Sequence, residues 1–181
     1  MNNSTHTYNT ASNLSTNTFT YTGYKFIGWN TDSEATTALY TDGQSITNLS
    51  STNGATITLY AIWALDSFTV TLNAKTGIDS VSGGGSKTVG DSVTINATLK
   101  TGYRWTGWFN SGTTTMISDA QNYTFTMPAS DVSYDAFGHK NTYKVAYEAN
   151  GGSGTMTTST FYYDTDETLT PNSFTRLGYT F

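Results

Sequence analysis

Apolar and polar residues alternate strictly along two stretches of the chain. Phe68, Val70, Leu72 and Ala74 are set against Thr69, Thr71 and Asn73, and Tyr143, Val145, Tyr147 and Ala149 against Lys144, Ala146 and Glu148. A period of two places successive side chains on opposite faces of a strand, one face covered and the other wet. Another strand is expected where Val93, Ile95 and Ala97 follow the Gly90-Asp91 turn, and Leu169 after Asp166-Glu167 reads as its counterpart. Leu59 to Trp63 and Val132 to Phe137 read as closing strands. Between Tyr24 and Trp29, simple alternation sends Tyr24 and Phe26 to one side and Ile27 and Trp29 to the other, with Gly28 allowing close backbone approach. The glycine clusters Gly83-Gly84-Gly85 and Asn150-Gly151-Gly152 suit turns that need positive φ. They lack the lysine and helix start of a phosphate-binding loop. Helix is expected only as a turn or two around Ser33 to Tyr40, so the fold class reads as mainly β.

The chain also repeats itself. Gly23-Tyr24-Lys25-Phe26-Ile27-Gly28-Trp29 returns as Gly102-Tyr103-Arg104-Trp105-Thr106-Gly107-Trp108 after 79 residues, and Gly178-Tyr179-Thr180-Phe181 follows 76 residues later. The alternating strands at Phe68 and Tyr143 each begin just after a closing strand, which sets boundaries near residues 66 and 141. Three modules result: 1–65, lacking its first strand; 66–140, complete; and 141–181, the N-terminal half of a further copy. Shifted by 155 residues, Met1 to Phe26 aligns without a gap on Met156 to Phe181, with twelve of the 26 pairs identical, among them Tyr8/Tyr163, Leu14/Leu169 and Gly23/Gly178. The larger period spans two alternating module types. On this reading Met1 is an internal methionine of a repeat and the sequence is a fragment of a longer array.

The order of blocks carries a resemblance. An opening strand runs into Ala149-Asn150-Gly151-Gly152-Ser153-Gly154, a Gly-Tyr-x-Phe-x-Gly-Trp block occupies Gly23 to Trp29, and Leu-Tyr-Ala-x-Trp occupies Leu59 to Trp63. These resemble the internalin-type B repeat, also called the Listeria/Bacteroides repeat. The middle module, with Thr101 to Trp108 and Tyr123-Thr124-Phe125-Thr126-Met127-Pro128, is similar to the divergent bacterial surface repeat that alternates with it, though it lacks the Asn-Gly-Gly element and the final Trp. The resemblance implies small β-grasp-like modules in secreted or wall-attached bacterial surface proteins, acting as stalks. It brings no catalytic residues. Gly23, Tyr24, Phe26, Gly28, Trp29 and Trp63, then Gly102, Tyr103, Gly107 and Trp108, then Gly178, Tyr179 and Phe181 form the structural signature.

Composition narrows the function. The 181 residues carry a net charge of −5 and only 12% charged side chains, whereas Thr, Ser and Asn number 38, 19 and 15. Eight Lys and Arg in an acidic chain supply no basic patch for nucleic acid. No apolar run reaches the roughly 18 to 20 residues that span a bilayer. Without cysteine there are no disulfides and no thiol chemistry. The segment from Met1 to His6 is no signal peptide.

Candidate chemistry is sparse. His6 and His139 stand apart on different repeats and read as surface residues, so no metal or cofactor is expected. Asp164, Asp166 and Glu167 could in principle serve acid–base work or calcium, but their repeat counterparts are Asn9, Ala11 and Ser12, and a solvated turn is the expectation. Tyr8, Trp105, Tyr162 and Tyr163 are candidates for stacking on a host or cell-wall glycan. A Lys–Asn isopeptide bond would need Lys144 or Lys25 buried beside an asparagine and a carboxylate. The Asn-x-Ser/Thr motifs at Asn13, Asn48, Asn96 and Asn122 fall within chance for such a composition. The expected partners are neighbouring modules of the same chain, with head-to-tail strand exchange between fragments through Tyr143 to Asn150 as a further route. The expected role is a non-enzymatic extracellular spacer, with a glycan- or host-protein-binding module as the alternative.

Overall fold

The computed structural model describes every residue but Asn2. The protein is mainly β, and no helix occurs among the described residues. Two compact units share the chain: Met1–Thr69 with Ser86–Ser92 and Thr126–Val132, and Val70–Gly85 with Val93–Phe125 and Ser133–Phe181.

In the first unit, β1 (Ser12–Asn13), β2 (Tyr24–Asn30), β3 (Ser45–Ile46) and β4 (Tyr60–Leu65) form two antiparallel ribbons, β1 with β3 and β2 with β4. Leu14, Trp29 and Ile46 are buried together, and Phe26, Tyr40, Leu49, Leu59 and Ala61 pack against them. Trp29 is the centre of an edge-to-face group, 5.0 Å from Phe26 and 6.3 Å from Phe19 between ring centroids. Such pairs add about 0.5–1.5 kcal/mol each beyond the area they bury. Ser33 to Tyr40 forms bends and turns where a helical turn was expected. Side-chain acceptors redirect its backbone: Asn30 Oδ1 accepts from Asp32 N–H, Asp32 Oδ1 accepts from Glu34 N–H, and Trp29 exchanges backbone hydrogen bonds with Tyr40.

The middle of the sequence supplies β5 (Ser67–Ala74), β6 (Ile78–Ser82), β7 (Gly85–Thr88), β8 (Ser92–Leu99), β9 (Tyr103–Asn110), β10 (Met116–Ser118), β11 (Asn122–Thr126) and β12 (Val132–Lys140). They form a five-stranded sheet in the order β10-β9-β12-β5-β7 and a three-stranded sheet in the order β11-β8-β6. Val93, Ile95 and Ala97 are buried on alternate positions of β8, as their spacing dictates, and Trp108, Ala136 and Ile78 are buried in the same unit. Finally β13 (Thr142–Val145) pairs antiparallel with β14 (Ser159–Tyr162).

One device recurs and corrects the simple alternation expected of β2. Phe26 pairs with Trp63 and Gly28 with Ile62, so Ile27 is an extra residue. In β9, Trp105 pairs with Gly138 and Gly107 with Phe137, so Thr106 is the extra residue at the matching place. A bulge of this kind resets the phase of the strand. Phe26 therefore joins Trp29 on one side and Ile27 is left exposed; Trp105 likewise meets Trp108, centroids 5.6 Å apart. The glycine that follows the extra residue is required by close approach. A Cβ on Gly28, at φ +140°, would run into the Tyr40 carbonyl oxygen and lie 2.7 Å from Ala38 Cβ; one on Gly107 would lie 2.9 Å from Met116 Cε.

The last segment departs from expectation. Its opening strand ends at Val145, so Tyr147 and Ala149 lie outside it, and the Tyr147 hydroxyl accepts a hydrogen bond from Thr170 N–H at 3.1 Å. Leu169 is exposed and in no strand. Its counterpart strand β8 has a neighbour on each side, whereas Leu169 lies between a charged turn and Pro171, which has no N–H to pair. Tyr179 and Phe181 are also exposed, with no strand beside them.

Candidate functional site

The four aromatic residues considered for ligand stacking do not converge. Tyr8 projects from an exposed turn in the first unit. Trp105 is half-buried against Trp108 and donates its indole N–H to Asp119 O at 2.7 Å. Tyr162 is exposed at the end of β14, and the Tyr163 ring lies over Gly102. Of the signature residues, Trp29 and Trp108 are buried, Trp63 packs edge-to-face on Phe26, and Gly23, Gly102 and Gly178 share a turn at φ +80°, +80° and +79°. Tyr103 lies beside Gly77, where a Cβ would meet its ring.

The second unit instead offers an open groove of about 510 Å³ on the outer face of β9 and β12. Phe109 and Phe137 line it, perpendicular at 5.5 Å, because they alternate with Trp108 and Ala136, which point the other way into the core. Thr76, Thr106, Thr113 and Thr114 supply hydroxyls around this apolar floor, and His139 and Lys140 close one end. No carboxylate lines it. Within the groove, Thr106 Oγ1 lies 3.5 Å from His139 Nδ1, at the limit of a hydrogen bond.

Beside the groove lies a buried carboxylate that sequence reasoning passed over. Asp135 is only 4% exposed. It accepts from Asn73 Nδ2 at 2.8 Å and Ser111 Oγ at 2.9 Å on one oxygen and from Gly112 N–H at 3.2 Å on the other; Lys75 Nζ stands 3.7 Å away. Burial alone would raise the carboxyl. The bonds from Asn73, Gly112 and Ser111 and the Lys75 charge outweigh it and hold the group below its ordinary range. The network ties the loop after β9 to the sheet, and that loop carries Thr113 and Thr114 to the groove. A single Asp within the apolar pattern of Val132 to Phe137 was the available signal.

The remaining candidates are placed plainly. His6 Nε2 contacts Ser4 Oγ at 2.9 Å, and His139 is exposed. Asp164 and Asp166 are exposed, while Glu167 accepts from Tyr162 N–H at 2.9 Å, so the acidic cluster forms a hydrogen-bonded turn. No group of three or more His, Asp or Glu suited to a metal is found among the described residues. Lys25 and Lys144 are both exposed, contrary to what an isopeptide bond would need. No helix among the described residues is long and apolar enough to cross a membrane.

Two family models match the chain. Residues 68–139 match the divergent InlB B-repeat domain, and residues 1–62 and 143–181 match the Listeria-Bacteroides repeat domain. No curated protein and no solved structure matches the chain. Both families are repeat domains of bacterial surface proteins. With more than half of its residues matched by the second, the chain belongs to the Listeria-Bacteroides repeat family.

Proposed function

We propose that the chain is a run of non-enzymatic spacer modules, with boundaries near residues 66 and 141, in an extracellular bacterial protein of the cell surface or wall. In this reading each module is a small β-grasp-like unit that contacts mainly its neighbours, and copy number sets length. The carrying observation is that the same bulge, with a glycine and a buried tryptophan after its extra residue, is built twice at matching places in the repeat. Parts that recur in this way serve the fold. The few charges leave solubility to hydroxyl and amide surface. Small-angle scattering tests this reading: an extended particle supports it, and a compact globule contradicts it.

The groove favours a second reading, a carbohydrate-binding module. Phenylalanine faces suit the apolar side of a pyranose ring and threonine hydroxyls suit its edges. Binding on a glycan array that is lost in Phe137→Ala supports this reading. Silence across the array counts against it, as does binding that follows Tyr8 or Tyr162 instead.

A further inference from the structure

Successive repeats meet through one joint, built twice. In the first unit, Asp66 N–H donates to Gly23 O at 3.0 Å, Val89 N–H donates to Asp66 O at 2.9 Å, and a Cβ on Gly23 would lie 3.2 Å from Val89 Cγ1. In the second unit, Asn141 N–H donates to Gly102 O at 2.8 Å, Tyr163 N–H donates to Asn141 O at 2.9 Å, and the Tyr163 ring fills the space where a Gly102 side chain would be. The residue ahead of the linker differs between the two joints. It is Leu65 in the first and Lys140 in the second, where the turn after Tyr163 takes hold of the ammonium: Lys140 Nζ donates to Asp164 O and to Thr165 Oγ1, each at 2.9 Å. Both acceptors are neutral, so they place the charge without cancelling it.

Lys140 stands at the end of the groove on β9 and β12. His139 and Phe137 lie two residues apart on β12 and share its outer face, and Arg104 is directly opposite His139 in the register. Arg104 is therefore on this face too, and it is exposed. Among the described residues neither Arg104 nor Lys140 forms an ion pair, since the single one present joins Lys75 to Asp135. Asp135 lies on the same face two residues before Phe137, but its charge is buried and already met by Lys75 and by the Asn73, Ser111 and Gly112 donors. A chain of net charge −5 thus builds an apolar floor with cations gathered at one end and no carboxylate lining it. The fold does not require this set: at the matching register of the first unit, Ile62 stands for Phe137, Ala64 for His139 and Leu65 for Lys140.

We infer that the groove takes a carboxylate-bearing pyranose, with the sugar ring on Phe109 and Phe137 and the carboxylate held by Arg104 beside His139, in the field of Lys140. A planar guanidinium meets a carboxylate with two parallel hydrogen bonds, a fit that an ammonium does not offer. The ring supplies apolar contact, and the acid fixes which way the sugar lies along the groove. This inference rests on the carbohydrate-binding reading and names the sugar class within it.

The test is an amide NMR titration of the full chain, at low ionic strength so that the charges are least screened. The probes are methyl β-D-glucoside, methyl β-D-glucuronide and the methyl glycoside of N-acetylneuraminic acid. The first two differ in one group, a hydroxymethyl against a carboxylate. The expected result is about tenfold tighter binding of an acidic probe than of the glucoside, with shifts at Thr106, Phe137 and His139. Which acidic probe binds more tightly tells a uronic acid from an ulosonic one. Arg104→Gln is expected to remove the preference and to leave glucoside binding in place, which also shows that the variant is folded; Arg104→Lys restores only part of the preference. Equal binding of the glucoside and both acids overturns the inference while the carbohydrate reading stands. Binding of none of the three overturns both. Acetate that shifts the same amides at the same concentration, or an acidic preference that survives Arg104→Gln, also overturns the inference.

Discussion

Trp29 and Trp108 occupy matching places but differ in one bond. Trp108 Nε1 donates to Gln121 O at 3.1 Å, while Trp29 Nε1 is buried without a partner among the described residues. Replacing either by phenylalanine removes similar volume, but only Trp108→Phe breaks a hydrogen bond and leaves a half-buried carbonyl short of its donor. Trp108→Phe should therefore destabilise its surroundings by about 1 kcal/mol more than Trp29→Phe does, read from urea titrations followed by amide signals in each segment. Asp135 offers a larger effect. Asp135→Ala orphans the Asn73, Ser111 and Gly112 donors and should cost about 3 kcal/mol. Because its folded carboxyl titrates below the unfolded value of about 3.9, its contribution is fully present above that pH and is lost as pH falls through the lower folded value. Acid titration of the wild type should loosen the loop after β9 in that window, and the acid midpoint should move in Asp135→Asn. An unchanged midpoint would contradict the network. Tyr147 is shifted the same way, held below its ordinary range by hydrogen bonds to Ser159 and Thr170.

At the scale of elements, the bulge decides which face each aromatic takes. Gly28→Ala places a methyl against the Tyr40 carbonyl, which is backbone and cannot swing away, and the φ of +140° strains any side chain. About 3 kcal/mol of destabilisation is expected. Gly107→Ala meets chiefly the end of the flexible, exposed Met116 side chain and should cost less, about 1–2 kcal/mol. Thermal unfolding of the pair checks the order, and an equal cost would mean that these close contacts do not set the tolerance of the two bulges. Period two was enough to read β8, because Val93, Ile95 and Ala97 are buried at alternate positions; in β5 it holds for the buried Val70 and the half-buried Phe68 and Leu72, whereas Ala74 is exposed. It misread β2, since one inserted residue inverts every later side chain, and the only trace of that insertion in the sequence is a glycine. The groove escaped for a related reason: Phe109 and Phe137 look like core residues until the neighbouring Trp108 and Ala136 are seen to claim the interior. Asp135 was hidden because its donors arrive from positions 24 and 62 residues away.

At the scale of the molecule, repetition was the most legible feature, since similar spacing of glycine and aromatic residues needs no knowledge of packing. It anticipated the buried Trp29 and Trp108, and the structure adds a glycine turn common to Gly23, Gly102 and Gly178. The joint between repeats was not legible, because its hydrogen bonds run through backbone groups of Asp66 and Asn141 that carry no sequence signal. The joint predicts that Gly102→Val, by expelling the Tyr163 ring, disturbs amide signals around Asn141 and Tyr163 while those of β8 stay in place. Disturbance spread evenly over the middle segment would argue against a local joint. The central claim is that one small sheet is built repeatedly as a spacer. Solution scattering from chains of one, two and three tandem copies tests it most directly. A maximum dimension that grows by a constant increment with each copy is the predicted result, and a dimension that rises only as the cube root of mass would contradict it.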